Sequence, residues 1–327
     1  MRRVSRRVSV KAMPEPQTTV EILRGLPLRR RGSEKDRSEA RTLARGGDLP
    51  LQKHYLTGDF TMKKSIALAF IFQFSVFSFF AQSLTGYEIM KKADEVPEPV
   101  TSSSTATLTI HTKKGSDRKR EVIMKSKDYG DVKKEVIVFV TPKDVSGTGY
   151  LMFEYEEDSK GNKKDSDNWL YMPAMKKTRR IASSGSESDG SFMGTDFTYR
   201  DMGDRNLNDY DYKLLGEESV DGTECYKVEC VAKDKTEKDP RYISYIAKSD
   251  FILRKCELFD RQNQLHRVLT CTNFTTIKGF TTAQRMKMEN VQSGTWSLFE
   301  TANIVYDGGD IDDSMLTVAA LEKGRIR

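Results

Sequence analysis

Residues Tyr212–Lys233 read YKLLGEESVDGTECYKVECVAK. After the central turn, Tyr226, Val228, Cys230 and Ala232 recur at every second position, the period of a strand with one buried face. Before it, Tyr212 and Leu214 keep the same spacing. Asp221-Gly222 lies between the two runs, and an Asp-Gly pair flanked by alternating apolar residues closes a tight hairpin. The stretch therefore predicts two antiparallel strands, and the pattern continues to both sides. Upstream, TATLTIHTKKGSDRKREVIMKSKDYG (Thr105–Gly130) predicts two strands around Gly115-Ser116-Asp117, followed by KKEVIVFV (Lys133–Val140), GTGYLMFEYEED (Gly147–Asp158) and NWLYMPAMKKTRRI (Asn168–Ile181). Downstream, RYISYIAK, FILRKCELFD, LHRVLTCTNFTTI, TTAQRMKMENVQS and WSLFETANIVYD extend the meander to Asp307. About eleven strands with few helices mean a mainly β chain: a barrel, a sandwich or a strongly curved sheet. One amphipathic helix precedes them, with Leu84, Tyr87, Ile89, Met90 and Ala93 at helical spacing and Pro97 and Pro99 as its stop.

The net charge of +6 over 327 residues sits at one end. Residues 1–61 carry 14 Lys and Arg against 7 Asp and Glu, whereas residues 62–327 carry 40 against 41. The strand-rich part is near neutral, so overall basicity gives no argument for a nucleic-acid partner. Residues 1–61 lack a sustained apolar period and read as a disordered, probable gene-model extension. From Met62, MKKSIALAFIFQFSVFSFFAQS has the layout of a secretory signal: Lys63 and Lys64, an apolar run from Ile66 to Phe80, and Ala81-Gln82-Ser83 as a small-x-small cleavage site. Residues 62–83 are thus expected to be a signal peptide, and 84–327 one exported, periplasmic domain that is soluble after cleavage.

Chemistry is sparse in that domain. His111 and His266 have no Cys, Asp or Glu at metal-ligand spacing and read as strand surface residues. There is no nucleophile elbow, phosphate-binding glycine loop or HExxH. DGGDIDD (Asp307–Asp313) lacks the calcium-loop spacing and its closing Glu, so it reads as a polar turn. Asp196, Asp201, Asp204 and Asp209 are spread through a loop-like region, and nothing in their spacing selects an acid/base pair. No catalytic residue, metal or cofactor is assigned. Cys225 and Cys230 lie five apart along one strand, too far for a disulfide. Cys256 and Cys271, on consecutive strands, are the plausible pair, with free buried thiols the alternative.

The densest anomaly lies at the end of the first run of strands. NWLYMPAMKKTRRIASS (Asn168–Ser184) turns from a knot of large apolar groups into Lys176, Lys177, Arg179 and Arg180. GSFMGTDFTYRDMGD (Gly190–Asp204) then sets Phe192, Met193, Phe197 and Tyr199 among Gly, Ser and Thr. A loop this apolar must cover something or enter a cavity, and methionine suits a surface that adapts to varied guests. Tyr150, Met152, Trp169, Tyr171, Met172, Phe192, Met193, Phe197 and Tyr199 are the candidate cavity and lid residues, with Phe192-Met193-Gly194 as the lid. The four cations are candidates for a rim that meets headgroups or a membrane partner.

GTGYL, WLYMPAMKKTRRI, SFMGTDFTYRDM, LLGEESVDGTECYKVE, RMKMENVQSG and the ending DDSMLTVAALEKG resemble, in this order, blocks of the outer-membrane lipoprotein-sorting protein family of the LolA/LolB-like periplasmic carrier superfamily. The resemblance spans nearly all of 84–324. It implies a half-open antiparallel β-barrel whose concave apolar side is partly closed by helices. It also implies periplasmic transit of lipoproteins or lipids, with acyl chains as cargo and an inner-membrane exporter or outer-membrane acceptor as membrane partner. The alternative is a binding module that senses lipid or lipoprotein and passes on an envelope signal without transfer. An enzyme acting on lipid would need a catalytic constellation that the chain does not offer.

Overall fold

The computed structural model describes residues 84–157, 163–309 and 311–324; the extension and signal-peptide expectations for residues 1–83 lie outside them. Thr85 caps helix α1, Gly86–Asp94, through a reciprocal capping box with Glu88. Six strands follow: β1 Thr101–His111, β2 Asp117–Asp128, β3 Val132–Thr141, β4 Gly149–Tyr155, β5 Asp167–Met172 and β6 Lys177–Ile181. After a crossover containing the short helix α2, Gly185–Ser188, seven more complete the sheet: β7 Tyr210–Val220, β8 Thr223–Ala232, β9 Arg241–Ala247, β10 Leu253–Phe259, β11 Leu265–Ile277, β12 Phe280–Asn290 and β13 Thr295–Tyr306. Helix α3, Val318–Glu322, lies near the C-terminus.

All 13 strands form one open antiparallel sheet in the order β6-β5-β4-β3-β2-β1-β13-β12-β11-β10-β9-β8-β7. Two meanders, β1–β6 and β7–β13, meet where β1 pairs with β13, with Leu108 opposite Phe299. The expected half-open barrel is present with two strands more than expected. The stretch read as one strand, Asn168–Ile181, breaks at a 3-10 turn over Pro173–Met175, and Lys176 adopts a left-handed backbone there, φ 47°. Pro173 cannot donate to a ladder, so the strand cannot run through it.

The crossover has to connect β6 to β7, the two edges of the sheet. Its path shows how far the sheet curls. Strands β4 and β9 are eight spacings apart, about 38 Å along a flat sheet at ~4.8 Å per strand. Yet the Asp204 amide donates to Glu154 Oε1 on β4 at 2.6 Å, and the Arg205 guanidinium stands 4.8 Å from the Tyr242 ring centre on β9. Adjacent crossover residues touch both halves, so the sheet wraps around them.

The wrapped face holds the main core. It joins Leu108 and Ile110 on β1, Phe139 on β3, Tyr150 and Met152 on β4, Val228 and Cys230 on β8 and Met288 on β12 to Ile89 of α1 and Phe192 and Phe197 of the crossover. A second cluster lies on the opposite face, where Leu316 and the α3 residues Ala320 and Leu321 pack with Val136 and Leu151. Glycine at position 149 makes room for it: a Cβ there would come within 2.3 Å of Leu321. No helix among the described residues is long and apolar enough to cross a membrane.

Candidate functional site

The crossover begins as an aromatic wedge. Phe192, fully buried, meets Tyr150 edge-on at 5.4 Å and Tyr199 at 5.6 Å, with Phe139 at 6.2 Å. Phe197 packs edge-on against Phe299 of β13 at 5.3 Å. The turn between them uses left-handed backbone at Met193, φ 51°, and Gly194, φ 78°. It is closed by Phe192 N–H to Phe197 O at 2.8 Å, and Arg120 Nη1 donates to Met193 O at 2.6 Å. The segment expected to form part of a lid is therefore a tightly bonded wedge packed into the wrapped face.

Past the wedge, a buried ionic network pins the crossover. Arg267 on β11, only 2% exposed, donates through Nε and Nη2 to Asp239, at 2.9 and 2.5 Å, and through Nη1 to Asp196 O at 2.9 Å and to Asp201. Thr198 donates twice to Asp201 at 2.8 Å, and Arg205 joins it at 3.2 Å. Asp196 accepts from Thr295 at 2.5 Å and Ser297 at 2.8 Å. Arg200 reaches Asp189 at 3.1 Å and Glu237 at 3.3 Å. Burial alone would raise the pKa of Asp201, but Arg267 and Arg205 outweigh it and hold the carboxyl below its ordinary range. His266, expected on the surface, is buried instead, its Nδ1 2.5 Å from Asp239 Oδ1. A carboxylate shared with Arg267 holds both residues inside, a long-range pairing that local sequence cannot reveal.

Where the crossover turns toward β7, the wrapped face is not filled. A cavity of about 290 Å³ lies between α1, the segment 201–207 and strands β7 and β9–β12. Met90, Ile246, Leu253, Leu258, Leu269 and Met288 give it an apolar wall; Asp94, Asp204 and the paired Asp201 and Arg205 also line it. A second cavity of about 500 Å³ shares Ala93, Asp94 and Asp204 with it and runs toward Ser102, Ser126 and Thr282. Volumes of this order suit small-molecule sites, roughly 300–1,000 Å³.

The nine candidate cavity residues divide two ways. Tyr150, Met152, Met172, Phe192, Met193, Phe197 and Tyr199 share the wrapped-face core. Trp169 and Tyr171 do not: alternation along β5 sends them to the opposite face, beside Leu316 and Leu321. None of the nine lines the apolar cavity; Met152 and Tyr199 border a smaller polar pocket of about 110 Å³ beside Glu154 and Arg200. The residues that do line it come from strands whose alternation looked ordinary. The signal was there in Leu253, Leu269 and Met288, but only the curl brings them opposite α1.

The four candidate rim cations lie on the β6 edge and are exposed. Arg179 pairs with Glu187 at 2.8 Å, while Arg180 binds Asp167. All four cysteines are free and buried, so the Cys256–Cys271 pairing does not form. Burial pushes the thiols of Cys230, Cys256 and Cys271 up to about 12, which makes them poor nucleophiles.

Glu154 has a distinct electrostatic position. Burial, then the nearby Asp204 carboxylate, pushes it up to about 8, against the amide bond from Asp204 and the Lys133 charge. Its folded pKa exceeds its unfolded value of 4.5, so the fold binds the extra proton between these limits. Its contribution is full below about 4.5 and is lost as pH rises through about 8. Glu154→Gln keeps an acceptor for the Asp204 amide and removes the charge. The variant is expected to melt on the order of 10 °C above the parent at pH 8.5 and level with it at pH 4 in thermal denaturation.

A family model described only as "Uncharacterized protein" matches residues 131–323. A DUF1329 family protein from Desulfovibrio piger is 30% identical, with a TM-score of 0.65 over 72% of this chain and 97% of that one. A putative outer membrane lipoprotein-sorting protein domain from Vibrio parahaemolyticus is 25% identical, with a TM-score of 0.65 over 72% of this chain and 98% of that one. A LolA superfamily protein from Nitrosomonas europaea shares the fold at 20% identity, with a TM-score of 0.55 over 73% of this chain and 100% of that one. No curated protein matches. The curled open antiparallel sheet is the fold that the chain shares with these three structures. The chain belongs to the DUF1329 family.

Proposed function

We propose that the chain is a periplasmic carrier that takes up acyl chains of lipoproteins or lipids and moves them toward the outer membrane. The observation that carries this reading is the apolar cavity of about 290 Å³ between α1, the 201–207 segment and the curled sheet. Enclosing one CH₂ contributes roughly 0.8 kcal/mol, so a fully enclosed palmitoyl chain would gain about 12 kcal/mol. That would trap it. A hollow that takes only part of a chain, lined by Met90 and Met288 beside Leu and Ile, binds varied chains and still releases them. The wedge at Phe192 fills the part of the face beside Phe139 and Tyr150. Lys176, Lys177, Arg179 and Arg180, next to Met175 at 60% exposure, form an edge suited to anionic headgroups or a membrane partner.

Leu269→Trp tests this directly. The larger side chain fills the cavity without burying a charge, so the fold should keep its melting temperature while acyl binding falls by about 100-fold, the equivalent of ~3 kcal/mol. Native mass spectrometry of the protein from cells should find bound lipid or acylated peptide on the parent and not on the variant. Transfer between donor and acceptor vesicles then separates a carrier from a sensor that binds without delivering. Equal loading of parent and variant would remove this cavity from the function.

A further inference from the structure

The two joined cavities differ in chemistry. The apolar one ends at Asp94 and Asp204, where the larger one begins. Among the described residues lining the larger cavity are four carboxylates, Asp94, Glu98, Glu135 and Asp204, and one cation, Lys133. Lys133 is bonded to Glu98 at 2.5 Å and also feels the charges of Asp204 and Glu135, one cation against four carboxylates. Hydroxyls of Ser102, Ser126 and Thr282 complete the polar wall. A carrier for anionic headgroups would place free cations here; this lining places carboxylates within reach of a chain lying in the apolar end.

We infer that the site takes an amphiphile with a cationic head, its chain between α1 and β9–β12 and its ammonium group among Asp94, Glu135 and Asp204. This rests on the carrier reading and names its substrate class. The electrostatics agree. Burial raises the pKa of Glu135, with Asp204 and Glu98 adding repulsion that Lys133 only partly offsets. Asp94 is raised by burial too; the Lys163 charge offsets part of this and Asp204 adds to it. A cation at this point relieves both. Apolar contact sets how far the chain enters, and the carboxylates select the head.

Three amphiphiles with the same chain and different heads test the inference: dodecylammonium, monolaurin and laurate. Each is titrated calorimetrically at pH 7, below its aggregation concentration, into the parent and into the Glu135→Gln/Asp204→Asn double variant. Dodecylammonium should bind the parent at least about tenfold more tightly than either of the others, as expected for one charge-assisted contact. The double variant should lose that preference while binding monolaurin as before. Should the double variant fail to fold by circular dichroism, Glu135→Gln alone carries the comparison. Equal affinities, a preference for laurate or monolaurin, or a preference that survives in the variant overturns the cationic-head assignment and leaves acyl carriage standing. If none of the three binds the parent, both fall.

Discussion

Arg267→Met should cost about 3–5 kcal/mol, because it strands buried carboxylates rather than deleting a contact. The guanidinium makes two bonds to Asp239 and also reaches Asp201 and the Asp196 carbonyl. Methionine fills similar space and neutralises neither acid. For a domain of this size the melting temperature should fall by roughly 10 °C at pH 7. The sign of the pH dependence gives a second check. Asp201 sits below its ordinary range in the parent, so its contribution is present above 3.8, the ordinary aspartate value, and disappears as pH falls through the lower folded value. Without Arg267 the carboxyl has less reason to stay charged. The gap between parent and variant should therefore narrow toward pH 3. Arg267→Lys should recover only part of the loss, since one ammonium cannot reproduce a forked donor. A fall of less than about 2 °C in Arg267→Met would mean that the network does not pin the crossover.

Phe192→Ala should lose about 3–5 kcal/mol, the range for emptying a buried aromatic site. What matters more is where the loss is felt. Phe192 fastens the crossover to β3 and β4 through Phe139 and Tyr150, while the β7–β10 meander has its own ladder bonds. Hydrogen exchange should speed up from Gly190 to Met202 with β8 and β9 still protected. Uniform loss of protection would show that the wedge and the sheet are one cooperative unit, and the wedge could then not shift independently during loading.

Local spacing was enough for the strands. Tyr226, Val228, Cys230 and Ala232 alternate because a strand has a period of two, and that period survives any tertiary arrangement. The Asp221-Gly222 hairpin and the Thr85–Glu88 cap are likewise short-range chemistry, and both are present. The apolar segment from Phe192 to Phe197 was legible as one that must cover something or enter a cavity, because an exposed FMGTDF would be costly. Local signals also failed in identifiable ways. Trp169 and Tyr171 looked like partners of Tyr150, but one-residue steps along β5 put them on the other face. His266 looked exposed because Asp239, 27 positions away, is invisible to local reading.

Sequence by itself therefore determined the antiparallel meander, the leading helix and the apolar segment before β7, since each rests on neighbours within a turn or a strand. Only the tertiary structure decided which residues surround the hollow. Closing β4 toward β9 is a sum of small twists over eight strand spacings. That sum brings Met90, Leu269 and Met288 together and sets Asp94, Glu135 and Asp204 at one mouth, an outcome that no single stretch of the chain encodes.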